Sequence, residues 1–198
     1  MLGLSVLCMP LAGADKKSLT KEQSAKVIEA AIRKAAKKPT GELTKADLEK
    51  VTELNLNRSQ LTGVKGMEKL TKLEWLHLGN NQLTNVPMGL EKLTQLKVLY
   101  LYTNQLAKMP KGLEKLTQLK VLNLGDNQLT EVKGLENLTE LTYLNLYGNQ
   151  LTKLPKDLEK LTQLEDLDLQ LNPNLTKAQI AELQKALPNC KISSSPTK

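Results

Sequence analysis

Apolar and polar positions recur along the chain in a fixed frame. The frame is complete between Leu96 and Leu106 and has the form L-x-x-L-x-L-x-x-N-x-L. Three more copies match it and two match it loosely; they begin at Leu73, Leu119, Leu141, Val51 and Leu164. In chain order the six copies start 22, 23, 23, 22 and 23 residues apart. A hydrophobic pattern that returns at such a period predicts a solenoid of stacked units.

The middle of each copy predicts a short strand. From Val98 to Tyr102, apolar residues alternate with variable ones, so that one face of the strand points inward. One such strand buries little surface alone. Stacked in parallel, the strands share a leucine core, at about 1.5–3 kcal/mol for each fully buried side chain. The segments that return between strands continue as Leu-x-x-Leu-Thr-x-Leu, which predicts short helical or 3₁₀ turns on the outer curve and therefore an α/β fold.

The frame and its period resemble those of bacterial leucine-rich repeat proteins, with repeats similar to the internalin group over roughly residues 43–192. The resemblance implies a curved solenoid with parallel strands on its concave face, and a protein-interaction module. In such folds the frame's asparagine bonds to loop backbone, because a buried amide left unpaired costs about 1–3 kcal/mol. These residues are Asn81, Asn104, Asn127, Asn149 and Asn172. The N-terminal segment differs from that of internalins, so adhesion or invasion is not implied.

Helices are predicted at both ends of the repeats. Thr20 and Gln23 form a capping box that begins a helix over residues 20–37, and Thr44 begins a short second helix. Thr176 begins a third helix, which Pro188 ends. We interpret these helices as caps that cover the open ends of the leucine core. The predicted organisation is a signal peptide at 1–14, an N-terminal helical cap at 15–50, six repeats at 51–175, a C-terminal helical cap at 176–192 and a disordered tail at 193–198.

The first fourteen residues are uncharged and mostly apolar, but too few to form a transmembrane helix. Ala12-Gly13-Ala14 fits the small-residue cleavage pattern of a secretory signal peptide, although the basic segment that usually precedes the apolar one is missing. The segment favours export to the periplasm, the cell surface or the medium. A cytoplasmic regulatory scaffold of the same fold is the alternative.

Composition fits an aliphatic core. The 198 residues suit one domain, phenylalanine is absent, and aromatic residues make up 3% of the chain. The net charge of +7 is spread along the chain, which indicates a solvated surface, with an acidic partner or an anionic surface as the alternative. Nucleic-acid binding is not expected, because a basic aromatic stripe is missing. The two cysteines, Cys8 and Cys190, have no metal-ligand spacing around them, and Cys190 is expected to be a small buried residue.

Aromatic residues are confined to three columns of the repeat. The third, fifth and seventh places of the frame project onto the inner curve, and together they hold all four tyrosines, the one tryptophan and the one histidine. Because tyrosine and tryptophan are favoured as interface anchors, this segregation predicts a binding face. Its predicted contact residues are Trp75, His77, Tyr100, Tyr102, Asn123, Tyr143, Asn145, Tyr147, Asp166 and Asp168.

The columns also predict the shape of that face. Repeats 3 and 5 supply tyrosines, and repeat 4 between them supplies only Val121, Asn123 and Gly125, so we expect a shallow groove with a small-residue floor. At the C-terminal end Asp166 and Asp168 lie two residues apart on one strand, which forms an acidic corner. A cation could bind there, but a solvated rim is the simpler interpretation.

Motifs of catalysis are missing from the sequence. It has no second histidine for a metal, no nucleophile with a matched base and no glycine-rich phosphate loop. We therefore predict a monomeric, non-enzymatic module that needs no cofactor and binds a protein or peptide on its concave face. A carbohydrate-binding surface protein is the second alternative.

Overall fold

A computed structural model of the chain describes residues 19–86 and 89–195. The predicted signal peptide lies outside these residues. Among the described residues, seven short parallel strands form one curved sheet whose order follows the chain. The strands are β1 (Glu53–Asn55), β2 (Trp75–His77), β3 (Val98–Tyr100), β4 (Val121–Asn123), β5 (Tyr143–Asn145), β6 (Asp166–Asp168) and β7 (Lys191–Ser193). The predicted α/β leucine-rich repeat solenoid is confirmed.

The strands are stacked in register, so each frame position forms a column. Leu54 pairs with Leu76, and the pairing continues through Leu99, Leu122 and Leu144 to β6. These leucines are at most 1% exposed and belong to one hydrophobic core that runs the length of the described repeats. The 22- or 23-residue period therefore places the same side chain at the same depth in every repeat.

Asparagines join neighbouring repeats, as the resemblance implied. In Asn127, Oδ1 accepts a hydrogen bond from the Leu106 amide at 3.0 Å, and Nδ2 donates to the carbonyls of Leu101 and Leu124, each at 3.0 Å. The partners of the five equivalent asparagines follow the same pattern in each repeat. All five side chains are buried and hydrogen-bonded, and we call this column the asparagine ladder.

The outer curve carries short 3₁₀ helices, at Met67–Lys69, Leu90–Lys92, Leu113–Lys115 and Lys156–Lys160. The first three each follow a glycine with positive φ. Glycine is required at 112 for a second reason, because a Cβ there would lie 2.9 Å from the Glu91 Cβ. Convex turns of adjacent repeats can pack closely only where this position lacks a side chain.

At the N-terminal end, α1 (Lys21–Ala35) and α2 (Lys45–Leu48) both begin with a capping box. Helix α1 buries Ile28 and Ile32 in the core of the repeats, and Ser24, which lies one turn earlier, is buried with them. Ala25, which lies at helical spacing from Ile28 and Ile32, is exposed. That α1 and α2 protect the core from water remains a prediction.

At the C-terminal end, helix α3 (Lys177–Ala186) is followed by a strand that the sequence pattern did not predict. Strand β7 pairs in parallel with β6, and the Ser195 hydroxyl accepts a hydrogen bond from the Leu171 amide at 2.9 Å. Residues predicted as the end of a helical cap and the start of a disordered tail thus extend the sheet. The physical reason is that β6 presents a row of backbone groups that any adjacent extended segment can pair.

Candidate functional site

The candidate site is the concave face, which consists of the third, fifth and seventh frame positions of repeats 1 to 6. In each strand the fourth frame position is the buried leucine, so the residues on either side of it point to the opposite face of the sheet. The structure places all ten predicted contact residues on this one face, and no ring among them belongs to the hydrophobic core. Whether they bind a partner remains a prediction.

Trp75 anchors the N-terminal half of the face. Its side chain is 39% exposed, although indole is among the largest apolar groups in proteins. His77 and Tyr100 meet edge to face with ring centroids 5.1 Å apart, and Tyr100 meets Tyr102 in the same way at 6.2 Å. Trp75 and this chain of three rings cover the second and third repeats. These rigid rings are groups that a partner side chain could contact without much loss of entropy.

Tyr102 lies over Gly79 of the preceding repeat. A Cβ added at Gly79 would overlap the Tyr102 ring, so the glycine provides the space that the ring occupies. Tyr102 therefore leans toward the N-terminal end of the solenoid, away from repeat 4. This contact is not evident from the sequence, because the two residues become neighbours only when the repeats stack.

The floor of the predicted groove is partly filled. Asn145 reaches over repeat 4, and its Oδ1 would lie 2.7 Å from a Cβ on Gly125. The same amide is held from both ends: Nδ2 donates to the Tyr143 hydroxyl at 3.2 Å, and Oδ1 accepts from the Tyr147 amide at 2.9 Å. Asn123 Oδ1 accepts from the Gly125 amide. Asn123 and Asn145 thus order the middle of the face, and the depression between the tyrosines is shallower than the columns alone predicted.

The acidic corner has a cationic neighbour. Lys191 of β7 places its Nζ 3.9 Å from Asp166 Oδ2, and Asp168 Oδ1 accepts a hydrogen bond from the Gln170 amide. Within residues 19–86 and 89–195 there is no group of three or more histidine, cysteine, aspartate or glutamate side chains that could hold a metal ion. Asp166 and Asp168 lie on β6, four strands from His77 on β2, so the structure does not bring these three together.

Leu171 is a candidate contact residue that the sequence pattern did not single out. It is 54% exposed and follows the seventh frame position of repeat 6, beside the concave face. Trp75 and Leu171 are the two large hydrophobic residues among those described that are exposed, and they lie at opposite ends of the face. The sequence does distinguish this leucine, because the eighth frame position is polar or glycine in the other five repeats: Arg58, Asn80, Thr103, Asp126 and Gly148.

Cys190 is outside the site. Its side chain is 4% exposed, and burial raises the pKa of the thiol, which disfavours the reactive thiolate. Among the residues that the structure describes, none of the helices has the length and apolar character needed to cross a membrane.

A family model described as a leucine-rich repeat region matches residues 43–193, so the chain belongs to the leucine-rich repeat family. Proteins with this fold commonly act as protein-interaction modules. No curated protein sequence matches the chain.

Solved structures identify the kind of repeat. The functional domain of InlJ from Listeria monocytogenes is similar over 86% of this chain and 37% of its own, with 28% identity and a TM-score of 0.72. Internalin InlF from the same organism is similar in fold over 87% of this chain and 64% of its own, with 22% identity and a TM-score of 0.64. The predicted resemblance to bacterial internalin-like repeats is confirmed. The chain spans about a third of the InlJ domain and less than two thirds of InlF.

A third structure comes from a different setting. An octameric complex of latrophilin 3, Unc5D and the leucine-rich repeat protein FLRT2 contains a chain that is similar over 73% of this chain and 47% of its own. The identity is 26% and the TM-score is 0.63. In that complex a leucine-rich repeat domain assembles with other proteins.

Proposed function

We propose that this protein is a non-enzymatic binding module that recognises another protein or a peptide on its concave face. One observation carries the proposal: the tryptophan and all four tyrosines stand on the sheet face opposite the leucine core. An aliphatic core explains why they are absent from the interior, but it does not explain why they are absent from the convex turns. A solvent face with no partner would gain nothing from their clustering.

The similarity to internalin-type repeats and to a chain of the complex that contains FLRT2 supports the same class of function. Area sets the scale of the contact. The aromatic patch spans β2 to β5, about 14 Å across the strands, and a standard interface buries about 800 Å² on each partner. The rings therefore act as the energetic centre of a larger contact, or as a complete site for a short peptide.

The proposal is tested with three immobilised forms of the full chain: wild type, Tyr100→Ala, and Gln118→Ala as a control on the exposed convex side. Captured proteins are quantified by mass spectrometry, and the melting temperature of each form is measured separately. We expect a protein that wild type and Gln118→Ala retain and that Tyr100→Ala loses, with melting within a few degrees of wild type. Equal capture of the same proteins by all three forms would show that the aromatic face does not take part in binding.

We also propose that the protein is exported, because the first fourteen residues carry the apolar stretch and cleavage pattern of a signal peptide. A fusion of residues 1–20 to a secretion reporter tests this separately. Retention of the reporter in the cytoplasm would favour the regulatory scaffold and leave the binding face unaffected.

A further inference from the structure

Charge is segregated between the concave face and the rest of the molecule. The chain has 28 lysine and arginine residues and a net charge of +7, yet none of these 28 lies in the three columns of the six repeats. Three acidic residues do: Glu53, Asp166 and Asp168. Strand β7 extends the face with Lys191. The face therefore carries three negative charges and one positive on a protein that is otherwise basic.

The acidic residues lie beside aromatic ones. Glu53 is in register with Trp75, and Asp166 is in register with Tyr143 on the neighbouring strand. The Glu53 carboxylate lies 3.7 Å from His77 Nε2, and Asp166 Oδ2 lies 3.9 Å from Lys191 Nζ. The side chains of Glu53 and Asp166 are nevertheless 60% and 39% exposed, so a partner can still reach both carboxylates. A carboxylate and a neighbouring aromatic ring can attract the same cation, the carboxylate through its charge and the ring face through its quadrupole.

The borders of the face do not cancel this charge. The second frame position holds two acidic and two basic residues, of which Glu74 and Lys97 form an ion pair at 2.8 Å, and the eighth position holds one arginine and one aspartate, Arg58 and Asp126. The excess positive charge therefore lies on other surfaces. A solvent-exposed concave surface with a net negative charge attracts positively charged partners and repels negatively charged ones.

Building on the proposed function, we propose that the concave face binds a basic segment of its partner in an extended conformation, with lysine or arginine side chains that meet the carboxylates at both ends. Five strand spacings separate β1 from β6, which is about 24 Å. At about 3.3 Å per residue, the two cationic side chains are about seven residues apart. Apolar or aromatic residues between them would contact the ring cluster.

A library of random twelve-residue peptides displayed on phage tests the inference with the full chain as bait. We expect enrichment of peptides with lysine or arginine near both ends. One enriched peptide, labelled with fluorescein, is then titrated with each variant by fluorescence anisotropy. The double variant Asp166→Asn/Asp168→Asn should bind about three- to tenfold more weakly, as expected for exposed charge pairs. Lys191→Gln should bind about twofold more tightly, because Asp166 loses its neighbouring ammonium group.

The double variant Glu140→Gln/Glu159→Gln is the matched control, since it removes the same number of charges at exposed sites outside the three concave columns and should leave the affinity unchanged. Enrichment of acidic or uncharged peptides that need Tyr100 would overturn the charge inference and keep the binding face. Basic peptides that bind the aspartate variant as well as wild type, or that weaken equally with the control, would also overturn it. The same library is also selected on Tyr100→Ala, which must be folded. If wild type enriches no peptide more strongly than this variant does, the proposed binding face itself is wrong, and the charge inference falls with it.

Discussion

Replacing Asn127 by alanine removes one rung of the asparagine ladder from the middle of the solenoid. The Leu106 amide, in a residue that is fully buried, loses the Oδ1 to which it donates, and the carbonyls of Leu101 and Leu124 each lose a donor. A buried donor left unpaired costs about 1–3 kcal/mol, and carbonyls tolerate a missing partner better. We expect a loss of about 2–4 kcal/mol in the free energy of unfolding.

For a chain of this length, such a loss lowers the melting temperature by about 5–15 °C. Urea denaturation followed by circular dichroism measures the free energy, and the slope of the transition reports whether all repeats still unfold together. Asn137→Ala is the matched control, because Asn137 is exposed and its loss should change stability by less than about 0.5 kcal/mol. Equal effects at Asn127 and Asn137 would refute the reasoning that inter-repeat amide bonds stabilise the stack.

Three further substitutions probe a turn, the concave face and the capping box of helix α2. Thr103→Asn should stabilise the protein by about 0.5–1 kcal/mol in thermal melting, because Thr103 has φ of 52°, where asparagine is more easily accommodated than a β-branched residue. Gly79→Ala should displace the Tyr102 ring and weaken peptide binding while the urea midpoint stays near wild type. Asp47 accepts bonds from Thr44, Lys50 and Lys38, which hold its pKa well below its ordinary value of 3.8. Its contribution to stability is therefore present above pH 4 and lost as the pH falls further, so Asp47→Asn should reduce the melting difference between pH 5 and pH 3.

For each of these three substitutions, one outcome would contradict the prediction. A Thr103→Asn variant no more stable than wild type would show that the positive φ costs little here. Tight peptide binding by Gly79→Ala would show that the position of Tyr102 does not matter to the face. An unchanged pH difference in Asp47→Asn would place the acid sensitivity elsewhere, for example in Glu91, whose pKa is also lowered by hydrogen bonds from backbone amides.

Much of the architecture follows from the sequence alone, because one hydrophobic pattern is repeated six times. The first, fourth and sixth frame positions hold leucine, apart from Val51 in repeat 1, and can be buried in every repeat only if parallel strands stack at the observed period. The same argument places the third, fifth and seventh positions on the concave face, away from the core, which is why all ten predicted contact residues share one face. The helix starts at Thr20, Thr44 and Thr176 could also be predicted from the sequence, because a capping box joins residues only three positions apart.

Other features depended on contacts between residues that are distant in sequence. Strand β7 carries no hydrophobic repeat, and its pairing with β6 is decided by the open edge of the sheet. Tyr102 over Gly79 and Asn145 over Gly125 are contacts across 23 and 20 residues, fixed by how the repeats stack. Periodicity thus determined which side chains lie on the concave face, and only packing between repeats decided where on the concave face each side chain lies.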